Sequence, residues 1–213
     1  TVLYEHKQYD TTGIVENVAK TNTTNSFDLT QTFSSGFQSI KEIFVQNMIF
    51  GKGGCGDATN LTIGSVANTG QTGFAFANLA IGNASLQSNE EGQYNFAVGH
   101  STLQNIITPS YNTAIGNNAL KFITDNPTPS NNNLAVGYNA GANRGIPNTS
   151  PLTSANNSTF IGNNARPLAN NSTNELVIGS NALGLGNNST VIGNTSITNA
   201  RIYGLLNLPS GIS

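Results

Sequence analysis

Charge is scarce in this sequence. Of 213 residues, only 8 are Lys or Arg and 10 are Asp or Glu, about a third of the usual share. Disordered chains are poor in apolar residues and rich in charge. Here the apolar share is also low, at 37%, but the charge is missing, so the polarity is neutral. Eight basic residues spread over a chain of net charge −2 form no patch for phosphates, which argues against DNA or RNA as partners. No apolar run approaches the roughly 18 residues of a membrane-spanning helix, so no membrane insertion is expected. The single cysteine, Cys55 in Gly53-Gly54-Cys55-Gly56, excludes an intrachain disulfide framework and reads as a small buried or turn residue. His6 and His100 are far apart, so the sequence offers no metal-ligand cluster and no cofactor is expected.

Paired carboxylates are also lacking. Cleavage of a glycosidic bond calls for two carboxylates roughly 5 to 9.5 Å apart across a sugar. The acids are Glu5, Asp10, Glu16, Asp28, Glu42, Asp57, Glu90, Glu91, Asp125 and Glu175. Only Glu90 and Glu91 adjoin, in a loop, and neighbours on a strand would point apart. The expectation is no catalytic residues and no enzyme activity. A glycan-degrading spike, with a pair assembled between turns or chains, is the rival. Gly51-Lys52 lacks the frame of a phosphate loop, and Gly53-Gly54-Cys55-Gly56-Asp57 resembles one calcium-roll phrase but does not recur.

What the chain has in abundance is Asn, 34 residues, followed by Gly, 23 residues. Both tolerate the left-handed backbone of tight turns, so the chain turns often and runs in short straight pieces. One phrase recurs: Asn60-Leu-Thr-Ile-Gly64, Asn78-Leu-Ala-Ile-Gly82, Asn95-Phe-Ala-Val-Gly99, Asn112-Thr-Ala-Ile-Gly116 and Asn133-Leu-Ala-Val-Gly137. Three later copies shift the Asn back one place: Asn157-Ser-Thr-Phe-Ile-Gly162, Asn174-Glu-Leu-Val-Ile-Gly179 and Asn188-Ser-Thr-Val-Ile-Gly193. Asn47-Met-Ile-Phe-Gly51 reads as a degenerate first copy. The turn glycines Gly64, Gly82, Gly99, Gly116, Gly137, Gly162, Gly179 and Gly193 are unevenly spaced, and the extra residues all fall between copies. Fixed rungs with insertions on one side are the behaviour of a solenoid. A second short strand is expected after each glycine, as in Asn83-Ala-Ser-Leu86 and Asn117-Asn-Ala-Leu120.

Side chains alternate along a strand. Ile63, Ile81, Val98, Ile115, Val136, Ile161, Ile178 and Ile192 precede the glycines and share a face with Leu61, Leu79, Phe96, Thr113, Leu134, Thr159, Leu176 and Thr190. That face is expected to be the interior of the coil. The opposite face carries Ala80, Ala97, Ala114 and Ala135, then Phe160, Val177 and Val191. Strands apolar on both faces are covered on both, so these alanines are expected to face sister chains across a symmetry axis. The pattern leaves two-fold and three-fold symmetry open.

The phrases Asn112-Thr-Ala-Ile-Gly-Asn-Asn-Ala-Leu120 and Asn133-Leu-Ala-Val-Gly-Tyr-Asn-Ala-Gly141 resemble a repeat of phage tail fibres, which is similar to the head repeat of trimeric autotransporter adhesins. The resemblance covers about residues 47 to 200. It implies an all-β, left-handed parallel β-roll in a homotrimer, on a virion and outside the cell, with other virion fibre or tail proteins and a host cell-surface glycan or protein as partners. A bacterial adhesin head is the alternative. The stretch Gly193-Asn-Thr-Ser-Ile-Thr-Asn-Ala-Arg-Ile-Tyr-Gly204 resembles the segment that ends such rolls, which a trimerising chaperone often follows; residues 201–213 are then a C-terminal end segment, and the resemblance implies that Ser213 is a processed end. Residues 1–46 form a connector or neck. There Phe33, Phe37, Ile40 and Phe44 have coiled-coil spacing, and Gly36 within the run leaves irregular β-structure as the other option. The insertions at residues 121–130 and 141–151 are expected to be contact loops, with Tyr111, Phe122, Tyr138 and Arg144 as candidate receptor contacts.

Overall fold

The computed structural model describes residues 42–45, 48–51, 59–70, 74–124 and 129–201. The chain divides into two units, residues 1–38 and 39–213, and every described residue lies in the second. Phe33, Phe37, Ile40, Cys55 and the proposed end at Ser213 therefore lie outside the described residues.

Among the described residues, fourteen short strands follow one another: β1 (Glu42–Val45), β2 (Met48–Gly51), β3 (Leu61–Gly64), β4 (Leu79–Ile81), β5 (Phe96–Val98), β6 (Thr113–Ile115), β7 (Leu134–Val136), β8 (Asn143–Arg144), β9 (Ser150–Pro151), β10 (Ala155–Asn156), β11 (Thr159–Ile161), β12 (Ser172–Thr173), β13 (Leu176–Ile178) and β14 (Thr190–Ile192). The main sheet runs β1-β2-β3-β4-β5-β6-β7-β11-β13-β14. From β3 onward each strand pairs parallel with the next copy of the repeat in identical register, so that Ala80, Ala97, Ala114, Ala135 and Phe160 form one column. The result is a β-solenoid of about seven turns. Met48–Gly51 is no rung: β2 pairs antiparallel with both β1 and β3, so it forms a hairpin at the head of the roll. Phe44 lies in β1, a strand, and so outside any helical seam.

No second strand follows the glycines in most rungs. The turns there alternate left-handed and extended residues, with positive φ at Ala84 and Leu86, Ser101 and Leu103, and Asn118 and Leu120. They still bond rung to rung, as Ser101 N–H to the Asn83 carbonyl at 2.9 Å and Leu103 N–H to the Ala119 carbonyl at 3.1 Å. Such turns let a narrow coil close without losing backbone hydrogen bonds. Only Arg166 and Leu183 form an isolated parallel bridge in this region.

The structure reverses the two faces expected from the sequence. Ala80, Ala97, Ala114 and Ala135 are fully buried inside the single chain's own coil, as are Thr62, Phe160 and Val177. Ile63, Ile81, Val98, Ile115, Val136, Ile161, Ile178 and Ile192 point outward and are partly or largely exposed. The cause is width. The coils of β4, β5 and β6 are filled by the leucine of the following turn, Leu86, Leu103 and Leu120, against the alanines of the strands, and a larger strand residue would overpack them. One rung shows the trade directly. Gly141 stands where the preceding turns carry Leu, and Phe160 stands where the preceding strands carry Ala. A Cβ on Gly141 would lie 2.9 Å from Phe160 Cδ2 and 2.6 Å from Leu120 Cδ2. The ring occupies the volume that the leucine would have taken.

Two columns lock the register. The repeat asparagines Asn60, Asn78, Asn95, Asn112 and Asn133 are buried. Each side-chain carbonyl accepts the backbone N–H of the next rung, at 2.8, 2.9, 3.0, 3.0 and 3.1 Å up to Ser158. Their Nδ2 atoms donate to carbonyls of the return segment, such as Ala75, Gly92 and Pro109. The amide ladder stops where the Asn shifts in sequence. Ser158 and Glu175 take the inward slot, and Asn157, Asn174 and Asn188 move to a positive-φ corner. Glu175 is buried, accepting from Ser172 Oγ at 2.5 Å and Gly186 N–H at 3.0 Å. Gly184 leaves the space that this carboxylate fills. The second column is the turn glycines. Gly116 has φ 125°, a region open essentially to glycine alone, and a Cβ there would lie 2.5 Å from the Gly137 carbonyl oxygen.

Candidate binding surface

Parallel stacking places every repeat position in a straight column about 4.8 Å per step, so the surface of the roll is a set of stripes. Three of these adjoin along one side. Two come from the outward strand positions: Leu61, Leu79, Phe96, Thr113, Leu134, Thr159, Leu176 and Thr190 form one, and the row from Ile63 to Ile192 the other. None of these outward residues is charged. Monomeric proteins rarely leave an apolar face of this extent in water.

The third stripe is the corner just before the inward polar residue. Ala77, Tyr94, Tyr111, Asn132, Asn157, Asn174 and Asn188 all hold positive φ, from 50° to 61°. A cleft lies between this corner and the first outward column. It measures about 360 Å³ where Thr59, Leu61, Ala77, Leu79, Tyr94 and Phe96 line it. It returns at about 350 Å³ where Asn157, Thr159, Asn174, Leu176, Asn188 and Thr190 line it. The two clefts lie at equivalent positions of different rungs, the first aromatic and aliphatic, the second rich in amide and hydroxyl groups and bordered by Glu175.

Aromatic rings gather at the first half. The Tyr94 and Tyr111 rings stack with centroids 5.0 Å apart and planes at 10°, and Phe76 meets Tyr94 edge-on at 5.3 Å. Tyr94 is 47% and Tyr111 56% exposed, and Phe74 and Phe96 are exposed beside them. A bulky residue in the left-handed region costs about 1–2 kcal/mol, whereas Asn, which the later rungs carry, tolerates it. Stacking returns only about 0.5–1.5 kcal/mol. The fold alone would be served as well by Asn.

Comparison of the chain with protein-family profiles, curated proteins and solved structures gives no match. The geometry is therefore the basis for a functional reading.

Of the four residues expected to meet a receptor, Tyr111 belongs to the aromatic corner and the other three lie elsewhere. Tyr138 follows the turn glycine Gly137 and is exposed. Phe122 is half-buried with the Lys121 ammonium 5.4 Å from its ring centroid. Arg144 sits in β8, which pairs antiparallel with β9, and its Nε is buried without a hydrogen-bond partner. Arg166 is tied down, donating from Nε to the Gly145 carbonyl at 2.9 Å and from Nη1 to the Asn164 carbonyl at 3.2 Å. Burial holds its pKa below the usual arginine value. Among the described residues no group of three or more His, Cys, Asp or Glu could hold a metal ion, and no helix is long and apolar enough to cross a membrane. Glu90 and Glu91 are exposed in a turn. Of this corner, the sequence points to Tyr111 alone; Phe76, Tyr94 and Phe96 do not stand out beside it as a cluster. Aligning the copies on their glycines would have exposed it, because Tyr94 and Tyr111 then fall in one column.

Proposed function

We propose that this chain is a length of a homotrimeric fibre of a bacteriophage virion, a tail fibre or related appendage that contributes to attachment to the host. One observation carries the reading. Along the whole roll the outward strand positions are aliphatic or neutral, while the coil's interior is already filled by the chain itself. Burying apolar surface stabilises by about 25 cal/mol per Å², so a face of this kind drives association. A flat, uncharged surface with a fixed step per rung is best covered by another surface with the same step. The repeat resemblance supports a left-handed roll and three-fold symmetry, and it supports a place on a virion beside other fibre or tail proteins. The receptor, on this reading, is a glycan or protein of the host surface. The role is structural: stiffness comes from the amide ladder and the glycine column.

Two measurements test it. Particles are purified by density from cultures carrying the coding sequence, and peptides of this chain are sought in the virion band. The recombinant chain is then added in excess to an adsorption assay. The proposal expects the peptides to co-purify with infectivity and the chain to slow adsorption. Finding the chain only in cell fractions, with adsorption unchanged, would refute it.

A further inference from the structure

Resting on that fibre reading, we infer that the aromatic corner formed by Phe76, Tyr94 and Tyr111, with the cleft beside it, is a seam where a second copy of this chain packs. Three observations select this occupant. First, one wall of the cleft is made of Leu61, Leu79 and Phe96, which belong to the outward apolar stripe. A copy laid on that stripe borders the cleft without a break. Second, no charged residue lines the cleft, so neither a nucleic acid nor a charged peptide or glycan finds a complementary charge there. Third, the rings pack on one another. Tyr94 has Tyr111 on one face and the Phe76 edge against it. Sugars bind to free aromatic faces, and the stacking covers one face of Tyr94 and one of Tyr111. Partly exposed tyrosines, each an apolar ring ending in a hydroxyl, suit a protein seam that is apolar inside and wet at its rim. The left-handed strain at Tyr94 and Tyr111, where Asn would sit without cost, then has a cause: large aromatic area placed on the interface, as at binding hot spots.

The sequence contains no Trp, so Tyr111→Trp in the full chain places a lone indole fluorophore at the seam. Its emission is followed while the chain is concentrated through its association range, with the mass measured by sedimentation on the same samples. The partner variant is Tyr94→Asn with Tyr111→Asn, which installs the residue that the later rungs carry at this corner. The expected results are a blue shift of the indole emission and loss of acrylamide quenching as oligomer forms. The double Asn variant should keep the wild-type far-ultraviolet circular dichroism while its dissociation constant rises roughly tenfold or more. An oligomer in which the introduced indole remains open to quencher, or a double Asn variant that associates as tightly as wild type, overturns the seam and leaves the fibre reading standing. Protection of the indole only on adding a neutral oligosaccharide such as maltoheptaose also overturns it, in favour of a glycan site. A chain that is monomeric at every concentration removes both proposals.

Discussion

Replacing Gly116 by Ala isolates the force that sets the spacing of the roll. Two penalties combine at this position. The backbone sits at φ 125°, and holding an alanine in so sparse a region costs about 1–3 kcal/mol. The new Cβ would also lie 2.5 Å from the Gly137 carbonyl oxygen and 2.7 Å from its carbon, and both atoms are backbone, fixed by the next rung. Overpacking of that kind costs about 1–3 kcal/mol more. The sum is about 2–6 kcal/mol, a large part of the stability of an ordinary domain. Gly186 supplies the control. Its φ is 103°, but nothing lies within 4 Å of where its Cβ would be, so Gly186→Ala should show the strain cost alone. Urea unfolding followed by circular dichroism measures both. Gly116→Ala should lower the midpoint more than Gly186→Ala, with the slope unchanged. Equal shifts for the two variants would show that contact between successive glycines does not set the rung spacing. A shift below about 0.5 kcal/mol at Gly116, the range of ordinary surface substitutions, would refute the whole glycine-column argument.

Other substitutions probe the interior and the ladder. Phe160→Ala should destabilise by about 3–5 kcal/mol. Adding Gly141→Leu to it should recover part of that loss, because the pair then matches the Ala and Leu of the preceding rungs. Thermal unfolding of the single and double variants checks this, and Gly141→Leu alone should be worse than wild type. Asn112→Ala removes the acceptor of the Asn133 N–H at 3.0 Å and the donor to the Ser130 carbonyl at 2.9 Å. With both groups buried, the cost should be about 2–4 kcal/mol in urea unfolding. Ala114→Leu should lower the stability of the chain by about 1–3 kcal/mol through overpacking. The neighbouring Ile115→Ser should leave the fold intact and weaken association, which a concentration series by sedimentation would read. The opposite pattern would restore the face assignment expected from sequence.

The rungs were legible before the structure because the repeat combines two strong signals: a strand alternation of period 2 and a glycine that closes each copy. Parallel register follows, since only identical register aligns eight glycines that no side chain can replace. The insertions at residues 121–130 and 141–151 were legible as departures from the spacing. Which face is inside was not. Alternation separates Ala114 from Thr113 and Ile115, but it carries no information about the width of the coil, and in a coil this narrow Leu120 claims the space that a strand Ile would need. The turns after the glycines read as strands because their polar–apolar alternation is the same. Only the backbone shows Asn118 and Leu120 in the left-handed region. The aromatic corner was hidden for a similar reason: Tyr at positive φ violates the preference that would have flagged a turn at Tyr94, whereas Asn at 157, 174 and 188 follows it.

The central claim is that the outward aliphatic stripe is covered by other copies of the chain. Sedimentation equilibrium on the wild-type chain and on Ile115→Asp tests it most directly. The account predicts three times the 22.2 kDa chain mass for wild type. For the variant it predicts a mass falling toward one chain, with the circular dichroism spectrum retained. A wild-type chain that stays at 22.2 kDa at high concentration, or an Ile115→Asp variant that assembles as well as wild type, would contradict it.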